Sequence, residues 1–496
     1  MEVIMRRCAG LDIHKASVWA CVLTLDDQDR SHKTIRKFGT TTHELRNLRK
    51  WLSAQGVTHV AAESTGVYWK PIWNVLEEGP FKLLLCNAHH LKQVPGRKTD
   101  ARDCEWIAHL LRHGLLRGSF VPSRGLRELR DLTRLRVKTT GEKSAAANRL
   151  QKVLEDANVK LSSVASDVLG KSGRAMIEAL IEGEDDPRKL AQLARKRLRA
   201  KLPQLRFALE GVVTEHHRFM LRLLYDQVLH AEAVLERLDE RIAELTGSAA
   251  DGANDRLAED DQTLPLFPEP PPDADDADDK PPPDGGDSSP AAAPNTPPPL
   301  RGRSTSGAAG PPQEPRGAAR PAPDGPGLFP AAVSLLCTVP GIGQRTAENV
   351  LAEIGDDMSR FPTSAHLASW AGVCPGNNRS AGKQTKRMGK TTKGNRYLKR
   401  ALNQAAWGAI RVKASYYSAQ YKRLSHRRGK KRAVVAVSHS ILVTIWHMLS
   451  TGQVYKELGS DYFERINADR LTAYHQARLE KLGYDVSLSA RDTEAA

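Results

Sequence analysis

The chain has 496 residues, room for two or three domains at roughly 100–200 residues each. Its formal net charge of +16 favours a polyanionic partner over a generic basic surface or a membrane-facing patch, because Lys and Arg that neutralise phosphates release condensed counterions. No signal-peptide core precedes GLDIHK and no run of 18 apolar residues occurs, so neither secretion nor a membrane span is expected. The six cysteines form no CxxC pair, which excludes a zinc knuckle or disulfide framework and reads as small buried hydrophobes in a reducing cytosol.

Residues 1–120 read as an α/β region. CAGLDI, VWACVLTL and KTIRKFGT are three predicted strands, the first two joined by the turn HKAS. Thr42 is the expected cap of a helix through HELRNLRKWLSAQ, with Glu44 in its first turn and Gly56 as its stop. THVAAEST and KLLLCN are predicted buried strands. Thr99 is the expected cap of a helix running to about His113, with acids near its positive end.

Residues 121–246 are predicted helical. Leu126, Leu129, Leu132 and Leu135 recur every three residues among Arg and Lys, and Leu221, Leu224, Val228, Ala231, Val234, Leu235 and Leu238 fit one amphipathic face. Helices of this length form either a coiled-coil arm or an ordinary helical subdomain, and the pattern leaves both open. Residues 247–330 turn to Pro, Ala, Gly and Asp: 20 of the 29 prolines fall in 251–330, with 15 acidic and 6 basic residues, leaving +25 on the remainder. Such a stretch cannot bury enough apolar surface to offset chain entropy and reads as a disordered linker. Residues 331–460 form a second basic, mostly helical domain, and 461–496 a charged tail.

Four acids stand where a ribonuclease-H-like fold would need them. Asp12 lies on the first strand, Glu63 ends a later one, and Asp100 and Asp103 share a helix face at i, i+3 spacing. Such carboxylates can hold two hard cations through oxygen, and two metals about 4 Å apart serve phosphoryl transfer. Singly, Asp12 reads as a turn or edge residue and Asp100 as an ordinary helix-start acid. Glu63 is harder to dismiss, because a charge following VTHVAA is costly to bury without a partner. Tyr68 and Trp69 read either as stacking groups for a base or sugar, or as packing against the helix.

From Arg379 to Arg432 there are 18 Lys or Arg and no Asp or Glu in 54 residues. A solvated face normally mixes signs, so this run reads as a nucleic-acid surface, with Arg379, Lys383, Lys386, Arg387, Lys390, Lys393 and Arg396 as candidate contacts. Ser380 lies within it, followed by Gly382. A positive, glycine-flexible setting suits attack on a phosphodiester. Taken alone, however, such a serine is a turn residue or phosphate contact, and no neighbouring His, Asp or Glu offers itself as base. Upstream, TVPGIGQRTAENVLAEIG reads as a helix-hairpin-helix: Gly341 and Gly343 permit the turn, and the next helix N-terminus with Arg345 can hold a phosphate. The alternative is a turn that only packs.

In order along the chain, GLDIHK, AAESTGVYW, KTDARD, TVPGIG and the Ser380 segment resemble the DEDD-type insertion-sequence transposases, the insertion-sequence-110 family, whose best-understood members are RNA-guided serine recombinases. The resemblance covers about residues 5–165 and 331–450. It implies a RuvC-like domain, a coiled-coil region and a C-terminal transposase domain. It also implies Mg2+ or Mn2+ held by Asp12, Glu63, Asp100 and Asp103, with Ser380 as nucleophile. The partners it implies are donor and target DNA, a bridge RNA, and further copies of the chain in a dimer or tetramer where one subunit's acids meet another's serine. The long Pro/Ala/Asp insertion departs from the family, where a short connection is expected; a flexible tether there favours pairing between subunits. Rival readings are a purely hydrolytic junction nuclease, with Ser380 only touching phosphate, and a non-enzymatic nucleic-acid-binding protein. The expected location is the bacterial cytosol, near the nucleoid.

Overall fold

The computed structural model describes residues 3–26, 28, 30–64, 66–87, 100–116, 118–247, 329–374, 379–380, 383–384, 391, 394–466 and 468–488; for 100–102, 379–380, 383–384 and 469–471 it describes the backbone alone. The chain divides into two compact units, Met1–Ser123 and Arg124–Ala496. The expected linker and the expected cap Thr99 lie outside the described residues, apart from the linker's two ends.

The first unit is built on a mixed six-stranded sheet. Strands β1 (Arg7–Ile13), β2 (Ser17–Leu25) and β3 (Ser31–Gly39) form an antiparallel meander, while β4 (His59–Glu63) and β5 (Lys82–Cys86) add in parallel beside β1. A two-residue edge strand, β6 (Gly118–Ser119), closes the order β3-β2-β1-β4-β5-β6. Helix α1 (Thr42–Ala54) carries the chain from β3 to β4, and α2 (Trp69–Leu76) from β4 to β5. The α1 cap is Thr41, one residue before the expected Thr42: its hydroxyl accepts from the Glu44 amide.

Strand side chains alternate between faces, and this alternation sorts the core. Ala9, Leu11, Ile13, Val60, Ala62 and Leu85 pack with Leu45, Leu48, Leu52, Ile72 and Leu76 of α1 and α2. The residues between them, Cys8, Ala61 and Cys86, pack on the other face with Cys104, Ile107, Ala108 and Leu111 of α3 (Asp100–Arg112). Gly10 lets α3 sit against β1: a Cβ there would lie 2.3 Å from the Cys104 carbonyl oxygen and 2.4 Å from the Ala108 nitrogen.

The second unit is mostly helical. Helices α4 (Arg124–Asp156) and α5 (Glu215–Thr246) lie side by side. The ion pairs Arg136–Asp239 (2.9 Å) and Lys143–Glu232 (2.8 Å) and the hydrogen bond Asp156–His217 (3.1 Å) ascend one helix as they descend the other, so the two run antiparallel. Shorter helices between residues 161 and 208 cap the pair through Met176, Ile177, Leu180, Leu190 and Leu205. The expected leucine stripe on α4 is corrected by helix geometry. At 3.6 residues per turn, Leu135 lies about 180° from Leu126, and it is 46% exposed. The buried stripe instead runs Leu126, Leu129, Thr133, Arg136, Thr139, Ala146, Leu150 and Leu154.

Beyond the linker, α6 (Pro330–Cys337), α7 (Gln344–Ile354) and α8 (Ser364–Ala371) lead to a short ribbon, β7 (Arg379–Ser380) with β8 (Lys383–Gln384). Helices α9 (Arg396–Arg411), α10 (Tyr416–Arg428) and α11 (Lys430–Thr451) complete the core. By length and composition α11 could cross a membrane, although its apolar residues are interrupted by Ser, Thr and His. Its Val437, Ile441, Leu442 and Ile445 are wholly buried in this core, as a core helix requires.

Candidate functional site

Two sites are built separately, one in each unit. In the first, β1 and β4 are parallel in the register Cys8↔His59 through Leu11↔Ala62. The next pair in that register is Asp12 beside Glu63, on strands about 4.8 Å apart. Two residues on from Gly10, Asp12 points to the α3 face of the sheet; two on from Ala61, so does Glu63.

Helix α3 crosses that face antiparallel to β1. The Arg112 carbonyl accepts from the amides of Ile4 and Met5, the Cys8 thiol meets the Ala108 carbonyl, and Gly10 meets Cys104. One step further along β1 stands Asp12, at the helix end that bears Asp100 and Asp103. That N-terminus carries partial positive charge, a favourable neighbour for carboxylates. Burial, then the Glu63 charge, pushes the neighbouring Cys86 thiol up to about 11. A hydrogen bond to Cys104, with burial, pushes Cys21 up as well.

Asp12 is 6% exposed. Its Oδ2 bonds Nε2 of His14 at 2.9 Å. Sequence reasoning missed this histidine, although it stands two residues on from Asp12 within the same quoted motif. The donor chemistry suits a hard divalent cation, since carboxylate oxygens are what such ions take. Among the described residues, however, no three His, Cys, Asp or Glu side chains come together as a cation site. The side chain of Asp100 lies outside the described residues, and that of Asp103 is half-buried.

The two aromatic candidates part company. Trp69 packs against the sheet core and stands edge-on to Trp73 at 6.0 Å, whereas Tyr68, which precedes α2, is 40% exposed.

In the second unit, Ser380 is the last residue of β7 and its backbone pairs with Lys383 of β8; Ala381 and Gly382 lie outside the described residues. The backbones of Arg379 and Lys383 flank it; Lys386, Arg387, Lys390 and Lys393 lie outside the described residues. Arg396 is exposed, and its guanidinium lies 4.9 Å from the Tyr397 ring centroid.

The two glycines of the α6–α7 turn do different work. Gly341 has φ +83°, and a Cβ there would lie 2.3 Å from both the Ala405 carbonyl oxygen and the Ala409 nitrogen, so it fastens the turn to α9. Gly343 caps α7 in open space. Arg345 does not stand idle: it bonds Asp239 of α5 at 2.8 Å while its side chain stays 61% exposed.

Known proteins match at both sites. A transposase family model of the DEDD IS110 type matches residues 9–159, and one described as Transposase IS116/IS110/IS902 family matches residues 333–422. The chain is 34% identical over 127 residues to the insertion element IS110 uncharacterized 43.6 kDa protein of Streptomyces coelicolor, covering 25% of this chain and 30% of that one. It is 31% identical over 122 residues to the transposase for insertion sequence element IS1111A of Coxiella burnetii, 24% of this chain and 33% of that one. A pilin gene-inverting protein of Moraxella bovis is 32% identical over 110 residues, 22% of this chain and 34% of that one. The chain thus spans about a third of the length of the curated relatives it matches. Among solved structures, Thermus thermophilus RuvC aligns at 12% identity and a TM-score of 0.19, over 23% of this chain and 99% of that one.

Proposed function

Since the chain belongs to the IS110 transposase family through residues 9–159 and 333–422, we propose that it cuts and rejoins DNA strands to move an insertion sequence. One observation carries the reading furthest: Asp12 and Glu63 fall side by side on the sheet face that α3 covers, at the helix end bearing Asp100 and Asp103. In this reading residues 1–120 are a RuvC-like nuclease domain and 331–460 a transposase domain. Residues 121–246 are a helical, coiled-coil region, 247–330 a linker and 461–496 a charged tail.

Asp12, Glu63, Asp100 and Asp103 would hold Mg2+ or Mn2+, which when bound activates an oxygen and neutralises charge at the scissile phosphate. His14 holds the Asp12 carboxylate through Oδ2. Ser380 attacks the phosphate through its hydroxyl oxygen: an Oγ–phosphorus bond forms as the hydroxyl proton passes to water, the bond to the leaving strand's oxygen breaks and that oxygen takes a proton from water, and a phosphodiester is conserved for rejoining. In sequence, Gly382 follows Ser380 by two residues, and a glycine there suits close approach to a backbone. Arg379, Lys383, Lys386, Arg387, Lys390, Lys393 and Arg396 line the phosphates. The α6–α7 turn acts as a helix-hairpin-helix, with Gly341 holding it to α9, and Gly343 and Arg345 facing a DNA strand. The partners are donor and target DNA, a bridge RNA from the element's flank, and further copies of the chain.

Trapping the reaction on DNA tests this. A covalent protein–DNA adduct is expected, absent in Ser380→Ala and in Asp12→Asn, and absent after chelation. Cleavage that survives Ser380→Ala without an adduct would leave a hydrolytic nuclease; cleavage indifferent to Asp12→Asn and Glu63→Gln would remove the acids from the chemistry.

A further inference from the structure

The stretch of chain bearing Ser380 is bracketed by a close backbone contact. Gly394 presses on the end of α8: a Cβ there would lie 2.4 Å from both the carbonyl carbon and oxygen of Ala371, and 2.5 Å from the Gly372 nitrogen. The chain therefore leaves at Gly372 and returns at Gly394 through one point. The next residue, Asn395, caps α9, its Oδ1 accepting from the amides of Tyr397 (3.0 Å) and Leu398 (3.2 Å).

The other half of the Asn395 amide reaches elsewhere. Its Nδ2 donates to Oε2 of Glu353 at 2.5 Å. Glu353 is 1% exposed, near the end of α7. Arg134 of α4 donates to both its carboxylate oxygens, at 2.7 and 2.8 Å, and Arg130 adds an ion pair at 3.4 Å. Arg130 also donates to the Ala352 and Glu353 carbonyls at 2.9 and 2.8 Å, closing the end of α7. The Arg134 guanidinium lies 4.6 Å from the ring centroid of Tyr397, two residues past Asn395.

A carboxylate this deep is expensive to desolvate, and an apolar residue of similar volume often serves stability as well or better. What an apolar residue cannot do is accept at once from an arm helix and from the cap at the foot of a catalytic ribbon. We infer that Glu353 and Asn395 are positioning residues that fix the foot of the Ser380 ribbon to the long helix α4, so that strand cleavage depends on their bond. This rests on the reading of Ser380 as nucleophile. A displacement of about 1 Å at a reacting group costs on the order of a hundredfold in rate.

Two variants isolate the bond. Asn395→Ser keeps a capping oxygen but loses the donor to Glu353. Asn395→Asp keeps the capping oxygens but sets a carboxylate where the donor to Glu353 stood. Full-length chain would be assayed on duplex DNA carrying the gene's own flanks, with RNA transcribed from one flank. The readouts are single-turnover cleavage, DNA affinity, melting temperature, and amide exchange over residues 373–396.

Asn395→Ser should slow cleavage and adduct formation about ten- to a hundredfold, with affinity and melting temperature held and exchange of 391–396 accelerated. Asn395→Asp, which turns two carboxylates toward each other, should slow cleavage at least as much. Parental cleavage by Asn395→Ser while Ser380→Ala is dead overturns the inference, as does unchanged exchange. Should Ser380→Ala cleave normally, the nucleophile reading falls and the positioning role with it, while faster exchange in Asn395→Ser would still show a structural tie at the ribbon's foot.

Discussion

Replacing Gly10 with alanine tests how the acid site is assembled. The added methyl would sit 2.3 Å from the Cys104 carbonyl oxygen, 2.4 Å from the Ala108 nitrogen and 3.0 Å from the Ala108 Cα. All three are backbone atoms, so no rotamer can yield; β1 and α3 must separate by about 1 Å to restore ordinary contact near 3.5 Å. Overpacking of this kind costs about 1–3 kcal/mol. Local amide exchange reads it directly: protection across Arg7–Ile13 and Asp100–Arg112 should fall at least about fivefold. The same separation carries Asp100 and Asp103 away from Asp12 and Glu63, so cleavage should drop on the order of a hundredfold and Mn2+ affinity with it. A Gly10→Ala chain with parental protection, cleavage and Mn2+ binding would refute the placement of α3 on β1 and the site built from it.

Other expectations follow from the two cores. Cys8 and Cys86 are pushed by burial to about 11 from an ordinary value of 9.0. Their neutral forms therefore stabilise the folded state fully below pH 9, and this contribution fades as pH rises from 9 through 11; a stability profile flat across that window would contradict it. With a thiol reagent at pH 7.5, exposed Cys337 should react, while Cys8, Cys21, Cys86 and Cys104 wait for denaturant. Arg136→Met leaves buried Glu348 without the cation at 2.6 Å and should cost about 3–5 kcal/mol in urea unfolding followed by helicity; a loss under about 1 kcal/mol would mean the pair holds nothing. On α4, Leu129→Ala should cost about 2–5 kcal/mol, whereas Leu135→Lys should stay within about 0.5 kcal/mol. Equal costs would restore the every-third leucine stripe.

Short runs of β-forming and apolar residues made the strands of the first unit readable, and Glu63 stood out because a charge closes an apolar run. The close seat of α3 was signalled too, since a glycine inside a strand often marks a neighbouring backbone, but nothing in GLDIHK names the helix that fills the space. On α4 the residues every third position misled, because a true helical face drifts away from that spacing. The buried glutamates of α7 were beyond reach: Glu348 meets Arg136 across 212 residues and Glu353 meets Arg134 across 219, and no local pattern announces which distant cation will neutralise a given acid. His14 was legible in principle and overlooked.

Helix α11 has a consequence for synthesis. It packs on α6, α8, α9 and α10, all of which leave the ribosome before it. Until residue 451 emerges, the faces of these four helices that α11 covers stay open, and the nascent chain then releases 22 residues apolar enough to tempt a bilayer or another chain. Folding of this unit is thus a race run at its end, in which a premature stop or a slow codon within Lys430–Thr451 would send the product toward aggregation.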